Sequence, residues 1–171
     1  MTASPGSASL LVIRQPERGY RFSIDSVLLA GFAAPYCRGD VLDLGTGCGV
    51  LLLLLSRLAP GMRSGTGVEI QGALCAFAGR NFLENRLDRR LHAVPADFRK
   101  EVPGAGEAAF DLVVANPPYG RAGRGRPNPH PEKEAARHEV LCTLPELFAA
   151  AGRYLAPGGR FALVLPRERQ P

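Results

Sequence analysis

Residues 116 to 119 read Asn-Pro-Pro-Tyr and directly follow an apolar segment. The apolar residues predict a buried strand, and proline ends it because it cannot donate to a sheet ladder and favours extended geometry in the residue before it. The Asn116 side chain and the Pro117 carbonyl would lie at the strand end as hydrogen-bond acceptors, with the flat ring of Tyr119 beside them. Such a site suits a planar amine, on whose face the ring can stack. A plain strand stop is the alternative interpretation of an isolated Asn-Pro-Pro sequence.

A glycine-rich turn follows an earlier apolar segment. Asp43 opens the sequence Asp-Leu-Gly-Thr-Gly-Cys-Gly, where Gly45, Gly47 and Gly49 would let the backbone pass close to a ligand. Glu69 ends the next predicted strand, at the spacing of about 20 residues typical of a ribose-binding carboxylate. The third glycine comes one residue earlier than in the dinucleotide pattern GxGxxG. That difference favours a nucleoside cofactor without a pyrophosphate over a nicotinamide dinucleotide.

Alternating strand-like and helix-like segments predict an α/β fold that positions these residues. We expect strands at 41–44, 66–70, 91–94, 110–115 and 160–165, a further short strand at 10–13, and helices at 22–34, 50–59, 73–85 and 144–155. Helices between successive strands imply parallel pairing with right-handed crossovers. Residues 157–159 are expected to form a turn. In the first helix Ser23 or Asp25 is the expected N-cap, and one face carries four apolar residues, Ile24, Val27, Leu28 and Phe32.

The domain division follows from these elements. Residues 1–9 are expected to be disordered, 10–40 to form an N-terminal strand and helix cap, and 41–171 to form the core. The fifth strand, 160–165, would leave an exposed edge that a partner or a dimer could cover.

The composition of the chain indicates how many domains it can form and which kinds of partner it can bind. The 171 residues, 46% of them hydrophobic, suffice for one domain with a core. A net charge of +5 permits a polyanionic partner, although the bias of the composition towards arginine could also produce it. No signal peptide and no membrane-spanning segment is predicted, which favours a cytoplasmic protein without membrane contact. No metal site is predicted. The cysteines are scattered, and the histidines His130 and His138 lack Cys or carboxylate neighbours at ligand spacing.

From about residue 20 to residue 165, the chain resembles the class I S-adenosyl-L-methionine-dependent methyltransferases, in their amino-methylating branch. The resemblance implies a Rossmann-like fold, a mostly parallel sheet with helices on both faces, which here lacks the family's C-terminal strands. It also implies that the glycines of the turn pass under the methionine part of the cofactor, with Asp43 nearby. Glu69 would bind the ribose hydroxyls, and Asp97, with Phe98 beside it, would contact the adenine ring.

The same resemblance assigns the substrate side of the site. Asn116 and the Pro117 carbonyl would hold the target amine, and Tyr119 would stack on its base. Residues 20–26, 67–71 and 136–139 resemble the family that N6-methylates an anticodon-loop adenine in valine tRNA. A set of residues in and after the motif would then contact RNA: Pro118, Arg121, Arg124, Arg126 and Arg137.

Three other functions share these features, among them DNA adenine methylation, for which the sequence shows no target-recognition domain. Methyltransferases that act on a glutamine amide in peptide release factors carry the same Asn-Pro-Pro-Tyr motif, although they usually have a helical domain ahead of the catalytic one. A cofactor-binding or RNA-binding remnant that has lost catalysis is the non-enzymatic alternative.

Overall fold

The computed structural model describes residues 10–17, 21–117 and 142–165. Within these ranges the strands are β1 (Gly39–Leu44), β2 (Met62–Glu69), β3 (Leu91–Pro95), β4 (Phe110–Ala115) and β5 (Leu155–Leu163). The helices are α1 (Ile24–Ala33), α2 (Val50–Leu58), α3 (Gly72–Glu84) and α4 (Leu144–Tyr154), with a 3₁₀ turn at Ala34–Tyr36. The described strands form one sheet in the order β3-β2-β1-β4-β5, and all pairs are parallel. The predicted α/β fold is confirmed.

Helices cover both faces of this sheet. Along β1, Val41 belongs to one apolar cluster while Leu42 and Leu44 belong to the other, because successive residues of a strand point to opposite faces. Helices α1, α2 and α3 pack on the Val41 face, and α4 packs on the opposite face through Leu147 and Tyr154. Burial of these clusters fixes the register of the central strands and therefore the positions of the residues that follow them.

Two sequence predictions about strands need correction. Residues 10–13 form no strand in the structure; the side chain of Asn85, the residue that caps the end of α3, exchanges hydrogen bonds with the Val12 backbone instead. The turn predicted at 157–159 lies inside β5, which begins directly after α4. Phe110 pairs with Leu155 and Leu112 with Arg160, so the extra residues of β5 form a bulge in which Gly158 has a φ of +80°.

The apolar face predicted for α1 is exposed in the described part of the chain. Ser23 caps the helix by accepting from the Asp25 backbone N–H, as predicted. Ile24, Leu28 and Phe32 are 66%, 63% and 65% exposed. The helix packs instead through Leu29 and three small residues, with Ser26, Ala30 and Ala33 also buried.

Candidate functional site

The carboxyl ends of four parallel strands bring the predicted site residues to one edge of the sheet. Asp43 pairs with Gly67 of β2 on one side and with Val114 of β4 on the other. Glu69 and Asn116 each stand two residues further along, so they flank the turn that follows β1. Helix α2 follows β1 on one face, and the next described helix after β4, α4, covers the other. This change of face opens a crevice between β1 and β4, where ligands bind in open α/β sheets.

The glycine-rich turn is held against β2. The backbone N–H groups of Gly45 and Thr46 both donate to the Val68 carbonyl, at 2.9 Å each. Gly45, Gly47 and Gly49 have φ values of +78°, +58° and +81°, a region that favours glycine. Apart from Gly45 and its two chain neighbours, no atom of the described residues lies within 4 Å of the place where a Gly45 Cβ would stand. At Gly45 the turn therefore presents bare backbone beside open space, as a close-lying ligand requires. Gly49 instead lets the turn pack against α3, because a Cβ there would lie 2.6 Å from the Phe82 ring.

Asp43 is a buried carboxyl under this turn. It is 1% exposed, and its Oδ2 accepts a hydrogen bond from the Thr46 hydroxyl at 2.7 Å. Gly67 makes room for Thr46, because a Cβ at Gly67 would lie 2.6 Å from the Thr46 hydroxyl oxygen. Burial, with a smaller contribution from the charge of Glu69, raises the pKa of Asp43 to about 7, against the lowering effect of the Thr46 hydrogen bond.

The raised pKa predicts that stability falls as pH increases. Between about pH 4 and pH 7 the folded chain keeps a proton on Asp43 that the unfolded chain has lost, so the free energy of unfolding declines over this window and levels off above it. We expect a decline of about 2 kcal/mol between pH 5 and pH 7.5 that Asp43→Asn removes. Urea unfolding at the two pH values measures this difference. Asp88→Asn, at an exposed position, should keep the wild-type slope; an Asp43→Asn variant that keeps it too would contradict the prediction.

Glu69 ties the turn to the end of β2. It is 5% exposed, and its Oε2 accepts from the Gly47 backbone N–H while its Oε1 accepts from the Gln71 N–H, at 2.9 Å each. A carboxylate has about four acceptor positions, so each oxygen can accept one more hydrogen bond. Glu69 thus combines a structural role with the capacity to bind a pair of hydroxyl groups.

Asp97 follows β3, and its carboxylate forms an ion pair with Arg99. Its carboxylate accepts hydrogen bonds from the Arg99 guanidinium, with Oδ2 2.8 Å from Nη2, and this contact holds the pKa of Asp97 below its ordinary value. Arg99 also lies 3.8 Å from Glu146, at the start of α4. Phe98 packs at the border of the α4-side cluster. The predicted contact of Asp97 and Phe98 with an adenine ring remains a prediction, and Arg99 would share the carboxylate with it.

Asn116 lies just beyond β4 and is half-buried. Its Nδ2 donates to the Ser26 hydroxyl at 3.0 Å, a contact between residues 90 positions apart. Pro117, also half-buried, is the last described residue of this segment. The other predicted substrate and RNA residues lie outside the described ranges: Pro118, Tyr119, Arg121, Arg124, Arg126 and Arg137.

Sequence reasoning missed Asn81, which fastens the N-terminal segment to the glycine-rich turn. Asn81 is fully buried on α3; its Nδ2 donates to the carbonyls of Arg14 and Cys48 at 2.8 Å each, and its Oδ1 accepts from the Arg14 N–H at 2.7 Å. Asn85, one turn later, exchanges hydrogen bonds with the backbone of Val12. The signal in the sequence is a pair of asparagines four residues apart on a helix face, which gives no indication of its distant partners.

Removal of the Asn81 amide should lower stability substantially. Asn81→Ala leaves the Cys48 carbonyl and both Arg14 backbone groups without their partner, so we expect a loss of about 2–4 kcal/mol in the free energy of unfolding. Asn85→Ala, which frees the backbone groups of the exposed residue Val12 away from the turn, should cost about 1 kcal/mol. Denaturant titration of both variants measures the difference. Equal losses in the two variants would contradict the larger stabilising role assigned to the buried Asn81 amide.

The described residues contain neither a candidate metal centre nor a membrane-spanning helix. No cluster of His, Cys, Asp or Glu in residues 10–17, 21–117 and 142–165 has the arrangement needed to hold a metal ion. Within the same ranges, no helix has the length and apolar character needed to cross a membrane.

Comparison with known families and sequences gives a consistent result. The model of the methyltransferase small domain family matches residues 23–170. A Porphyromonas gingivalis protein named tRNA1(Val) (adenine(37)-N6)-methyltransferase is 32% identical over 92% of this chain and 63% of its own length. A protein of the same name from Pedobacter heparinus is 32% identical over 92% of this chain and 64% of its own. The chain therefore spans less than two thirds of the length of these relatives.

Solved structures share the fold at low sequence identity. A structure of geranyl diphosphate methyltransferase in complex with SAM superposes with a TM-score of 0.61 at 18% identity, covering 86% of this chain and 52% of that one. A putative S-adenosyl-L-methionine-dependent methyltransferase from Methanococcus maripaludis gives a TM-score of 0.59 at 17% identity, covering 82% and 54%. At these identities the likeness extends to the fold, which agrees with the strand order described above.

Proposed function

The chain belongs to the methyltransferase small domain family, and on that premise we propose that it transfers a methyl group from S-adenosyl-L-methionine to N6 of an adenine in the anticodon loop of a tRNA. The observation that carries the proposal is the position of Asn116, an amide at the end of β4 beside the glycine-rich turn and Glu69. This arrangement offers one place for a nucleoside cofactor and an adjacent place for an amine.

The residues present fit the proposed cofactor. Glu69 retains acceptor capacity for both ribose hydroxyls, and the open space at Gly45 leaves the backbone accessible to the methionine part. Asp43 stabilises the turn from below through Thr46. When bound, S-adenosyl-L-methionine supplies an electrophilic methyl group on a sulfonium, so the protein has to orient a nucleophile in line with it.

Orientation of the amine is the task of Asn116 and Pro117. An adenine amine is a poor nucleophile because its lone pair is delocalised into the ring. If the Asn116 Oδ1 and the Pro117 carbonyl accept its two N–H groups, the nitrogen becomes pyramidal and its lone pair is directed at the methyl group. These hydrogen bonds strengthen as positive charge develops on nitrogen. The alkylated nitrogen is acidic and gives its proton to water, so a strong general base is unnecessary.

A tRNA substrate is supported by the relatives named above and by the charge of the chain. The net charge of +5 favours association with a polyanion. An anticodon loop also presents unpaired bases, which cost less to turn outward than bases in a duplex. Some arginines serve other contacts: Arg90, for example, donates to the Met62 and Arg63 carbonyls. A tRNA substrate implies a cytoplasmic enzyme.

Labelled S-adenosyl-L-methionine and unmodified bulk tRNA test the proposal directly. After incubation with the chain, the RNA is digested and its nucleosides are identified. We expect the label in N6-methyladenosine. Label in a glutamine of added release factor, with none in RNA, would favour the protein-methylating alternative; cofactor binding without any transfer would indicate a domain that has lost catalysis.

A further inference from the structure

We infer that Ser26 is a positioning residue for the amine site: it fixes the side-chain amide of Asn116 so that Oδ1 is left to accept from the target NH₂ group. The inference rests on the proposed function, because it assigns a role within the same site. It concerns the first helix, α1, which otherwise lies outside the glycine-rich turn and the strand ends.

The contact joins two parts of the chain whose positions are set by packing in the same apolar cluster. Ser26 is 3% exposed on the packed side of α1, one turn before Leu29 and Ala30, which are also buried. Asn116 follows Val114 by two residues, and Val114 belongs to the apolar cluster on the face that α1 covers. Side chains two residues apart on a strand share a face, so the packing that seats α1 also places the Ser26 hydroxyl opposite the Asn116 amide.

Burial explains why the two side chains remain paired. A hydroxyl removed from water without a partner destabilises the fold, and the partner that the described residues provide for the Ser26 Oγ is the Asn116 Nδ2 at 3.0 Å. Ser26 is the single polar residue among the four buried residues of α1. A structural requirement alone would be met more simply by alanine, which already occupies two of the other three buried positions, Ala30 and Ala33.

Because an amide group is planar, the contact of Nδ2 with Ser26 also determines where the Asn116 Oδ1 points. Oxygen and nitrogen leave the same carbon on opposite sides of a planar group, so an amide whose Nδ2 is turned to α1 presents its Oδ1 elsewhere. Among the described residues, none donates a hydrogen bond to this oxygen. An unrestrained Asn116 amide could turn its own NH₂ group towards the target NH₂ group, and two hydrogen-bond donors would then face each other. By accepting from Nδ2, the Ser26 hydroxyl restrains the amide in the orientation that leaves Oδ1 to accept from the target NH₂ group.

Three variants of the full chain test the inference. Ser26→Ala removes the hydroxyl, Ser26→Thr keeps it, and Ser56→Ala is the matched control, because Ser56 is a half-buried helical serine whose hydroxyl donates to the Leu53 carbonyl of α2. With saturating cofactor and tRNA, Ser26→Ala should reduce the single-turnover rate by about tenfold, the effect of one lost hydrogen bond, with unchanged cofactor affinity. Ser26→Thr should restore most of the rate, and Ser56→Ala should match the wild type.

A spectroscopic readout tests the contact without reference to activity. In ¹H–¹⁵N spectra the side-chain NH₂ pair of Asn116, assigned by its loss in Asn116→Asp, should shift in Ser26→Ala, while the pairs of Asn81 and Asn85 stay in place. An Asn116 pair that does not move overturns the inference. So does an unchanged rate in Ser26→Ala, or a folded Ser26→Thr variant as slow as Ser26→Ala.

Experiments on the unaltered chain distinguish failure of the proposed function from failure of the role assigned to Ser26. If the unaltered chain transfers no methyl group to RNA, the proposed function is wrong, and the resonances of Asn116 decide by themselves whether Ser26 holds the amide. If the unaltered chain methylates a protein glutamine instead, the same ratio of Ser26→Ala to wild-type rates, measured with that substrate, tests the positioning role.

Discussion

Asn116→Ala is expected to reduce the rate of methyl transfer by about a hundred- to a thousandfold while leaving the affinity for S-adenosyl-L-methionine nearly unchanged. The amide oxygen would accept from an amine whose positive charge develops during transfer, and loss of one preorganised group of this kind costs about that factor. The side chain stands beyond β4, whereas the proposed ribose ligand, Glu69, ends β2. Single-turnover kinetics and calorimetric titration with the cofactor measure the two quantities separately.

Asn85→Ala is the matched control for this variant. Asn85 is also a half-buried asparagine with backbone partners, but it lies at the end of α3 beside Val12. It should retain the wild-type rate of transfer. A large loss of cofactor binding in Asn116→Ala would contradict the division of roles between Asn116 and Glu69, because it would place the amide in the cofactor site.

Glu69→Gln is expected to weaken the binding of S-adenosyl-L-methionine by about a hundredfold. A carboxylate can accept two ribose hydroxyls while holding the Gly47 and Gln71 N–H groups, and an amide has a single oxygen for all four donors. Each hydrogen bond to a charged group contributes about 1.5–3 kcal/mol, so the loss of one or two of them accounts for the factor. Calorimetric titration of the variant gives the dissociation constant.

Glu84→Gln provides the comparison for Glu69→Gln. Glu84 is a carboxylate of α3 that pairs with the exposed arginines Arg14 and Arg80, so its neutralisation should leave cofactor affinity within about twofold. Thermal unfolding of both variants without cofactor shows whether the glycine-rich turn has kept its fold. A folded Glu69→Gln variant with wild-type affinity would show that the cofactor lies elsewhere.

Local sequence patterns were sufficient to predict five parallel strands and the position of the glycine-rich turn, although not every strand bound and not the order of the strands in the sheet. β4 was predicted with its observed bounds, since apolar residues run up to Ala115 and prolines follow Asn116. Strand β2 begins at Met62, four residues before its prediction, because its first half is polar and partly exposed and gives no apolar signal. The position of Glu69 at the end of β2 follows from the same local pattern.

Contacts between distant segments could not be read from the sequence. Asn81 and Arg14 are 67 residues apart, and Ser26 and Asn116 are 90 residues apart, so no spacing rule connects them. The four apolar residues of α1 share a face as predicted, yet Leu29 and the small residues beside it occupy the packed side. That choice depends on how closely α1 can approach α2, which only the assembled fold determines.

Methylation of a defined tRNA transcript tests the central claim most directly. Two unmodified valine tRNA transcripts, an adenine transcript with the natural anticodon loop and one in which guanine replaces every adenine of that loop, are incubated with the full chain and labelled S-adenosyl-L-methionine. The account predicts label in the adenine transcript alone, recovered as N6-methyladenosine. Equal label in both transcripts, or bound cofactor with label in neither, would contradict it.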